Sequence, residues 1–154
     1  MLEELVKHLA VINGNIKTKN MVKEKLTLCI DFDGTCTTHE YPFIGKEIGA
    51  VPVLKKLVDN GHKLILFTMR GGKQLEESVK WFEDNKISLY GIQTNPTQKN
   101  WTASPKAYGE HYIDDAAIGC PLVVNNELSD RPFVDWVKVE EILIEKGLIN
   151  EKEQ

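Results

Sequence analysis

What this 154-residue sequence has little of narrows its class before any motif is read. Its three cysteines, Cys29, Cys36 and Cys120, are odd in number and show no Cys-x-x-Cys spacing. That argues against a disulfide scaffold or a structural zinc site and suits a reducing compartment. No apolar run approaches the length of a membrane span, and the N-terminus lacks the basic region and apolar core of a signal peptide. The expectation is a cytoplasmic protein without a membrane partner. Positive charge is not in excess either: 19 Lys+Arg stand against 23 Asp+Glu, a net charge of −4. This disfavours binding along a nucleic-acid backbone, although phosphorylated polynucleotide ends stay among the candidate ligands. There are no internal repeats and no low-complexity tracts. The length fits one domain large enough to bury its own core.

What is present is most concentrated at residues 26–35, Leu-Thr-Leu-Cys-Ile-Asp-Phe-Asp-Gly-Thr. Leu26, Leu28 and Ile30 mark a strand covered on both faces. It stops in Asp31 and Asp33, whose i, i+2 spacing aims both carboxylates into one space while Phe32 points to the core. Two such groups repel unless a cation sits between them or one keeps its proton. Downstream the elements alternate. A helix around Val53, Leu54, Leu57 and Val58 starts near Pro52 and closes at Asn60-Gly61. A strand over residues 63–68 leads through Gly71-Gly72 into a helix with Leu75, Val79 and Phe82 on one face. Weaker strands follow at residues 87–92, 112–113 and 122–124. A last helix, started by Pro132, offers Phe133, Trp136, Val137 and Ile142 to the core. Strands alternating with helices predict an α/β fold, an open Rossmann-like parallel sheet sandwiched by helices. Residues 1–22 read as a separate N-terminal helical extension, with Leu2, Leu5, Val6 and Leu9 at helical spacing. Packing on the side of the domain and homo-oligomer formation are both open to that helix. Residues 23–154 form the single domain.

Open parallel sheets place their sites beyond the carboxyl ends of the strands. Those ends carry Asp31 and Asp33 on the first strand, Thr68 on the second and Asp114-Asp115 on the fourth. Arg70, two residues after Thr68, is placed to grip a second anionic group of a substrate. A lysine precedes the last acidic pair; Lys106, eight residues before Asp114, is preferred to Lys99, which lies in a polar loop. Thr68 and the backbone N–H groups after Asp31 are suitable donors to phosphate oxygens, and a lysine adds a point charge. Strand alternation sends Asp114 and Asp115 to opposite sides, so one of them is the direct metal ligand. His39, His62 and His111 share no ligand spacing and read as surface or sheet-end residues. Cys36 reads as a small buried filler.

Asp-Phe-Asp-Gly-Thr, a strand-terminal threonine, a lysine and a late Asp-Asp resemble the four motifs of the haloacid dehalogenase (HAD) superfamily, most of whose members are magnesium-dependent phosphatases. The resemblance covers residues 26–122. It implies an HAD-like domain that takes Mg2+ and hydrolyses a small phosphorylated substrate. Asp31 would be the nucleophile that forms an aspartyl-phosphate. Asp33 would be the general acid/base, its backbone carbonyl reaching the metal. Thr68 and Lys106 would be catalytic and phosphate-binding, Asp115 a direct metal ligand and Asp114 its outer orienter. Neither place where such proteins insert a cap domain has room for one, since residues 37–49 make only a short flap and residues 93–105 only a loop. The site is therefore predicted to be open. The alternative reading is a non-catalytic HAD-like or phospho-receiver module acting through protein partners. Against a receiver stands the order of the pieces, with Asp-x-Asp leading and the adjacent pair last. Asp33 also has no purpose in a module that keeps its phosphoryl group.

Overall fold

The apolar run between Leu26 and Asp31 becomes strand β1, Thr27–Ile30, an inner strand of a four-stranded sheet of order β3-β2-β1-β4. The computed structural model describes residues 24–151; the extension assigned to residues 1–22 lies outside them. After β1 come α1 (Ala50–Asp59), β2 (Lys63–Leu66), α2 (Gly72–Asp84), β3 (Gly91–Ile92), a 3-10 turn at Gln98–Asn100, β4 (His111–Ile113), β5 (Leu122–Val123), β6 (Phe133–Val134) and α3 (Trp136–Glu145). All pairings in the sheet are parallel, with Cys29 level with Ile65 on one side and Tyr112 on the other. The open Rossmann-like α/β sheet read from the alternation is therefore the fold, and helices flank it. Among the described residues no helix is long and apolar enough to cross a membrane.

The helices feed one face of the sheet. Leu28, Ile30, Leu64, Leu66 and Ile113 pack with Val53, Leu54 and Leu57 of α1, Phe82 of α2, and Val139 and Leu143 of α3. The other face presents Cys29 and Ile65, which pack with Ala107, Phe67 and Tyr90. Topology accounts for the asymmetry. Two successive right-handed crossovers in the same direction, β1-α1-β2 and β2-α2-β3, leave their helices on the same side. The connection from β3 to β4 must then cross back over the opposite face. In this chain that connection, residues 93–110, is polar, holds Pro96 and Pro105, and has the 3-10 turn as its regular structure.

The helix boundaries repay comparison with the sequence. All three helices end with the same pair of carbonyl-satisfying bonds, in which the N–H groups of His62, Ile87 and Leu148 reach back five residues. Gly61 and Gly147 supply the left-handed residue in two of them, whereas α2 uses Lys86 at φ 57. The strand predicted over residues 87–92 shrinks to Gly91–Ile92, with Tyr90 N already donating to Leu64 O of β2 at 2.7 Å. The C-terminal part needs a larger correction. Leu122–Val123 does not join the parallel sheet; it forms an antiparallel pair with Phe133–Val134. Pro132 therefore precedes a strand, and α3 starts only after Asp135, whose Oδ1 accepts from Lys138 N at 3.2 Å. The buried face of α3 is Trp136, Val139 and Leu143, while Val137 and Ile142 face outward. This junction buttresses the loop after β1. Val134 N donates to Gly34 O, and Trp136 Nε1 donates to Thr35 O at 2.7 Å.

Candidate active site

Strand geometry ends at Ile30, and the next few residues decide where each carboxylate goes. Asp31 N still donates to Ile113 O, so Asp31 stands beside the end of β4. The carbonyl of Phe32 then accepts from the N–H groups of Thr35 and Cys36, folding the chain into a tight turn. Phe32 is fully buried against Trp81 and Phe82. The i, i+2 rule therefore stops applying one residue after β1, and Asp31 and Asp33 part company.

Asp31 joins Asp114 and Asp115. Each of the three half-buried residues offers a carboxylate oxygen within 4.8 Å of the others. Both members of the late pair reach the group, contrary to the alternation argument. The strand has ended at Ile113, and Asp114 begins a turn in which its Oδ1 accepts from Ala116 N at 2.8 Å. Fully buried Thr35 ties the group together. Its hydroxyl donates to Asp31 Oδ2 at 2.8 Å, lies 3.4 Å from Asp115 Oδ1, and accepts from Asp115 N at 3.1 Å. Burial pushes the Asp31 carboxyl up to about 8; the Thr35 bond opposes this and the charges of Asp114 and Asp115 reinforce it. At such separations each fully ionised pair costs at least about 3 kcal/mol at an effective dielectric near 20. Three crowded oxygens of this kind fit a hard divalent cation that takes oxygen ligands, magnesium included.

Asp33 goes elsewhere. Its two oxygens accept from Arg70 Nε and Nη2, both at 2.7 Å, in a bidentate pair. Arg70 is only 2% exposed. Nη2 also donates to Phe43 O at 2.6 Å, while Nη1 faces Pro42 O and Gln74 O, each at 3.4 Å. All five guanidinium N–H groups are thus engaged, and the plane lies between the rings of Phe32 and Tyr41 at 4.9 and 5.4 Å. The grip on a second substrate anion assigned to Arg70 has no donor left to make it. Asp33, expected to reach the metal through its backbone carbonyl, keeps its side chain out of the acidic group, with both carboxylate oxygens committed to Arg70.

The strand expected over residues 63–68 stops at Leu66, so Thr68 lies two residues beyond β2, half-buried, with its Oγ1 accepting from Arg70 N at 3.1 Å. Lys106 is exposed, its ammonium 5.3 Å from the centre of the Tyr112 ring. Lys99 lies exposed in the 3-10 turn. Among the described residues no hydrogen bond or ion pair joins either lysine to Asp31, Asp114 or Asp115. Cys36 is fully buried, its Sγ donating to Asp31 O at 3.3 Å, and burial holds its thiol well above the ordinary range. It is a filler.

Two members of the site went unassigned in the sequence. Thr35 closes the Asp-Phe-Asp-Gly-Thr motif, so its position was in view and only its role was not. His39, which reads as a surface or sheet-end residue, instead joins the site: its Nε2 lies 2.8 Å from Asp115 Oδ2, across 76 residues of chain. The contact depends on Gly34, at φ +77, where a Cβ would stand 2.3 Å from His39 Nε2 and 2.6 Å from Asp115 Oδ2. His39 lies in the flap of residues 37–49, which carries exposed Tyr41 and Phe43.

No family model and no curated protein matches the chain. A solved structure does: a conserved protein coded by a locus of Bacteroides thetaiotaomicron, 31% identical, with a TM-score of 0.66, over 80% of this chain and 93% of that one. The chain belongs to the same family as that conserved protein. The likeness carries the fold and names no activity.

Proposed function

We propose that this protein is an HAD-type, magnesium-dependent phosphomonoester hydrolase with Asp31 as its nucleophile. The observation that carries the reading is the convergence of Asp31, Asp114 and Asp115 beyond the carboxyl ends of β1 and β4, where an open parallel sheet binds its ligands. Asp31, Asp114 and Asp115 would hold the cation, which would supply charge to offset both the crowded carboxylates and the phosphate.

Within this reading an Asp31 oxygen attacks phosphorus, the bond to the leaving alcohol breaks, and an aspartyl-phosphate forms. Water then attacks the same phosphorus, releasing inorganic phosphate and restoring the carboxylate. The Thr68 hydroxyl has a hydrogen to give to a phosphate oxygen. Lys106 would add charge by swinging its flexible stem off Tyr112. Asp33 would protonate the leaving alkoxide after one of its oxygens leaves Arg70, and would take a proton back from the attacking water in the second step. The flap is short and no cap is inserted, so a small phosphorylated substrate would enter without a lid.

The Asp33–Arg70 pair also favours a second reading: a phosphate-binding module that accepts a phosphoryl group on Asp31 and keeps it. One set of measurements separates the two. With an aryl phosphate and Mg2+, the enzyme releases phosphate steadily, chelation stops it, and Asp31→Asn lowers turnover by at least about 10³-fold. The module instead yields a long-lived phosphoprotein from a small phosphoryl donor, without steady release. Turnover that survives Asp31→Asn sinks the proposed mechanism. A screen of phosphorylated metabolites with Mg2+ then narrows the substrate.

A further inference from the structure

The contact between His39 and Asp115 has no place in the reaction just described, yet it is built with care. Asp115 shows two differently occupied oxygens. Oδ1 lies 3.4 Å from the Thr35 hydroxyl that donates to Asp31. Oδ2 meets His39 Nε2 at 2.8 Å. The histidine is not a loose surface group. Thr38, its neighbour, is fully buried, with its N–H on Lys46 O and its hydroxyl accepting from Lys46 N at 2.9 Å. Three residues further on, the carbonyls of Pro42 and Phe43 face Arg70. The flap is therefore fixed on both sides of the ring, and Gly34 leaves the gap through which the ring reaches the carboxylate.

We infer that His39 is a positioning residue for Asp115: by holding Oδ2 from the flap side it presents Oδ1 to the cation that the acidic group would bind. This rests on the cation reading of Asp31, Asp114 and Asp115. The physical reason is general. A carboxylate ligand free to rotate must be ordered as the ion binds, and a hydrogen bond to its outer oxygen does that ordering beforehand. Losing such an outer partner commonly costs about 10–100-fold in metal affinity. The flap thereby becomes part of the metal site, although it contributes no ligand.

The test is binding, not turnover. The full chain, stripped of metal and free of phosphate, is titrated with Mn2+ followed by electron paramagnetic resonance, and with Mg2+ by calorimetry, at one fixed pH. His39→Leu and His39→Asn, the second too short to reach Oδ2, should each weaken both ions about 10–100-fold with the unfolding temperature little changed. His39→Gln, whose amide N–H takes the place of Nε2–H, should bind close to wild type. His39→Asn binding as tightly as wild type overturns the inference, and so does His39→Gln binding as weakly as His39→Leu. Wild-type protein that binds neither ion overturns the cation reading itself, a result distinct from the other two.

Discussion

Asp31 and Asp33 are the same residue type, two positions apart on one loop, and they live in opposite electrostatic company. Asp31 faces two more carboxylates, and burial pushes its own carboxyl up to about 8. Asp33 has both oxygens on a guanidinium that is 2% exposed and has no N–H to spare. One side of the loop gathers three carboxylates, with the His39 imidazole against one of them; the other has its charge met by Arg70. The contrast separates what a ligand must complete from what the fold completes by itself. Sites for function are where local rules are left unsatisfied, and the neighbouring structure compensates.

The largest expected effect comes from breaking the satisfied side. Asp33→Asn leaves the Arg70 guanidinium buried without a counter-charge, which should cost about 3–5 kcal/mol of stability, measured by denaturant unfolding. Arg70→Leu should cost a similar amount and should also free the flap, since the carbonyls of Pro42 and Phe43 lose their donors. The two changes together should cost much less than their sum, because the penalty belongs to the unpaired charge. A cost below about 1 kcal/mol for Asp33→Asn, the range of an exposed pair, would show that the clasp is not what holds this side.

The same substitution two residues earlier should have the opposite sign. Below pH 3.8, the ordinary value of its carboxyl, Asp31 holds its proton in both the folded and unfolded chains and adds nothing. Between there and about pH 8 the unfolded chain ionises while the folded one keeps its proton. Stability of the metal-free protein therefore falls as pH rises through that window, by up to about 1.4 kcal/mol per unit from this group. Asp31→Asn removes the penalty, flattens the profile and should stabilise the metal-free protein at neutral pH by roughly 1–3 kcal/mol. Unfolding curves of chelator-treated wild type and variant across the window check this. A variant that parallels wild type at every pH would place Asp31 outside the strained group.

How far each side could be read in advance follows the range of the interactions that make it. The β1 run, the closure of α1 at Asn60-Gly61 and the acidic strand ends are local patterns, and they were legible. Arg70 was visible beside the site, but its partner was not, because that depends on the turn at the Phe32 carbonyl that rotates Asp33 away from Asp31. Asp114 and Asp115 show the same limit: alternation predicts opposite sides for them, but the strand stops at Ile113 and both carboxylates reach the acidic group. β5 and β6 are two residues each, too short to show a period, so Pro132 reads as a helix start although it precedes β6. Thr35 and His39 reach Asp115 across 80 and 76 residues, and no spacing encodes such a contact. Lys106 matches the motif order, yet its ammonium rests on Tyr112.

Thr35 gives the finest test of the contrast, since it acts on one side only. Its hydroxyl moderates Asp31 by donating to Oδ2 and at the same time accepts from Asp115 N. Thr35→Val keeps the shape and removes both bonds inside a fully buried site. The Asp31 carboxyl, already near 8, should then rise further, by less than about one pH unit, since one hydrogen bond is worth about 1 kcal/mol. Thr35→Ser, which keeps the hydroxyl, should leave the titration where it is. Carbon-13 NMR of the labelled side-chain carboxyl, followed against pH, reads both variants directly. The Arg70 side of the loop provides the control: with Asp33 and the flap untouched, the guanidinium N–H resonances should not move. If they shift as much as Asp31 does, the two halves of the loop are coupled through Gly34 and the separation between them fails. If only Asp31 moves, one hydroxyl sets how strongly the empty-handed side calls for a cation.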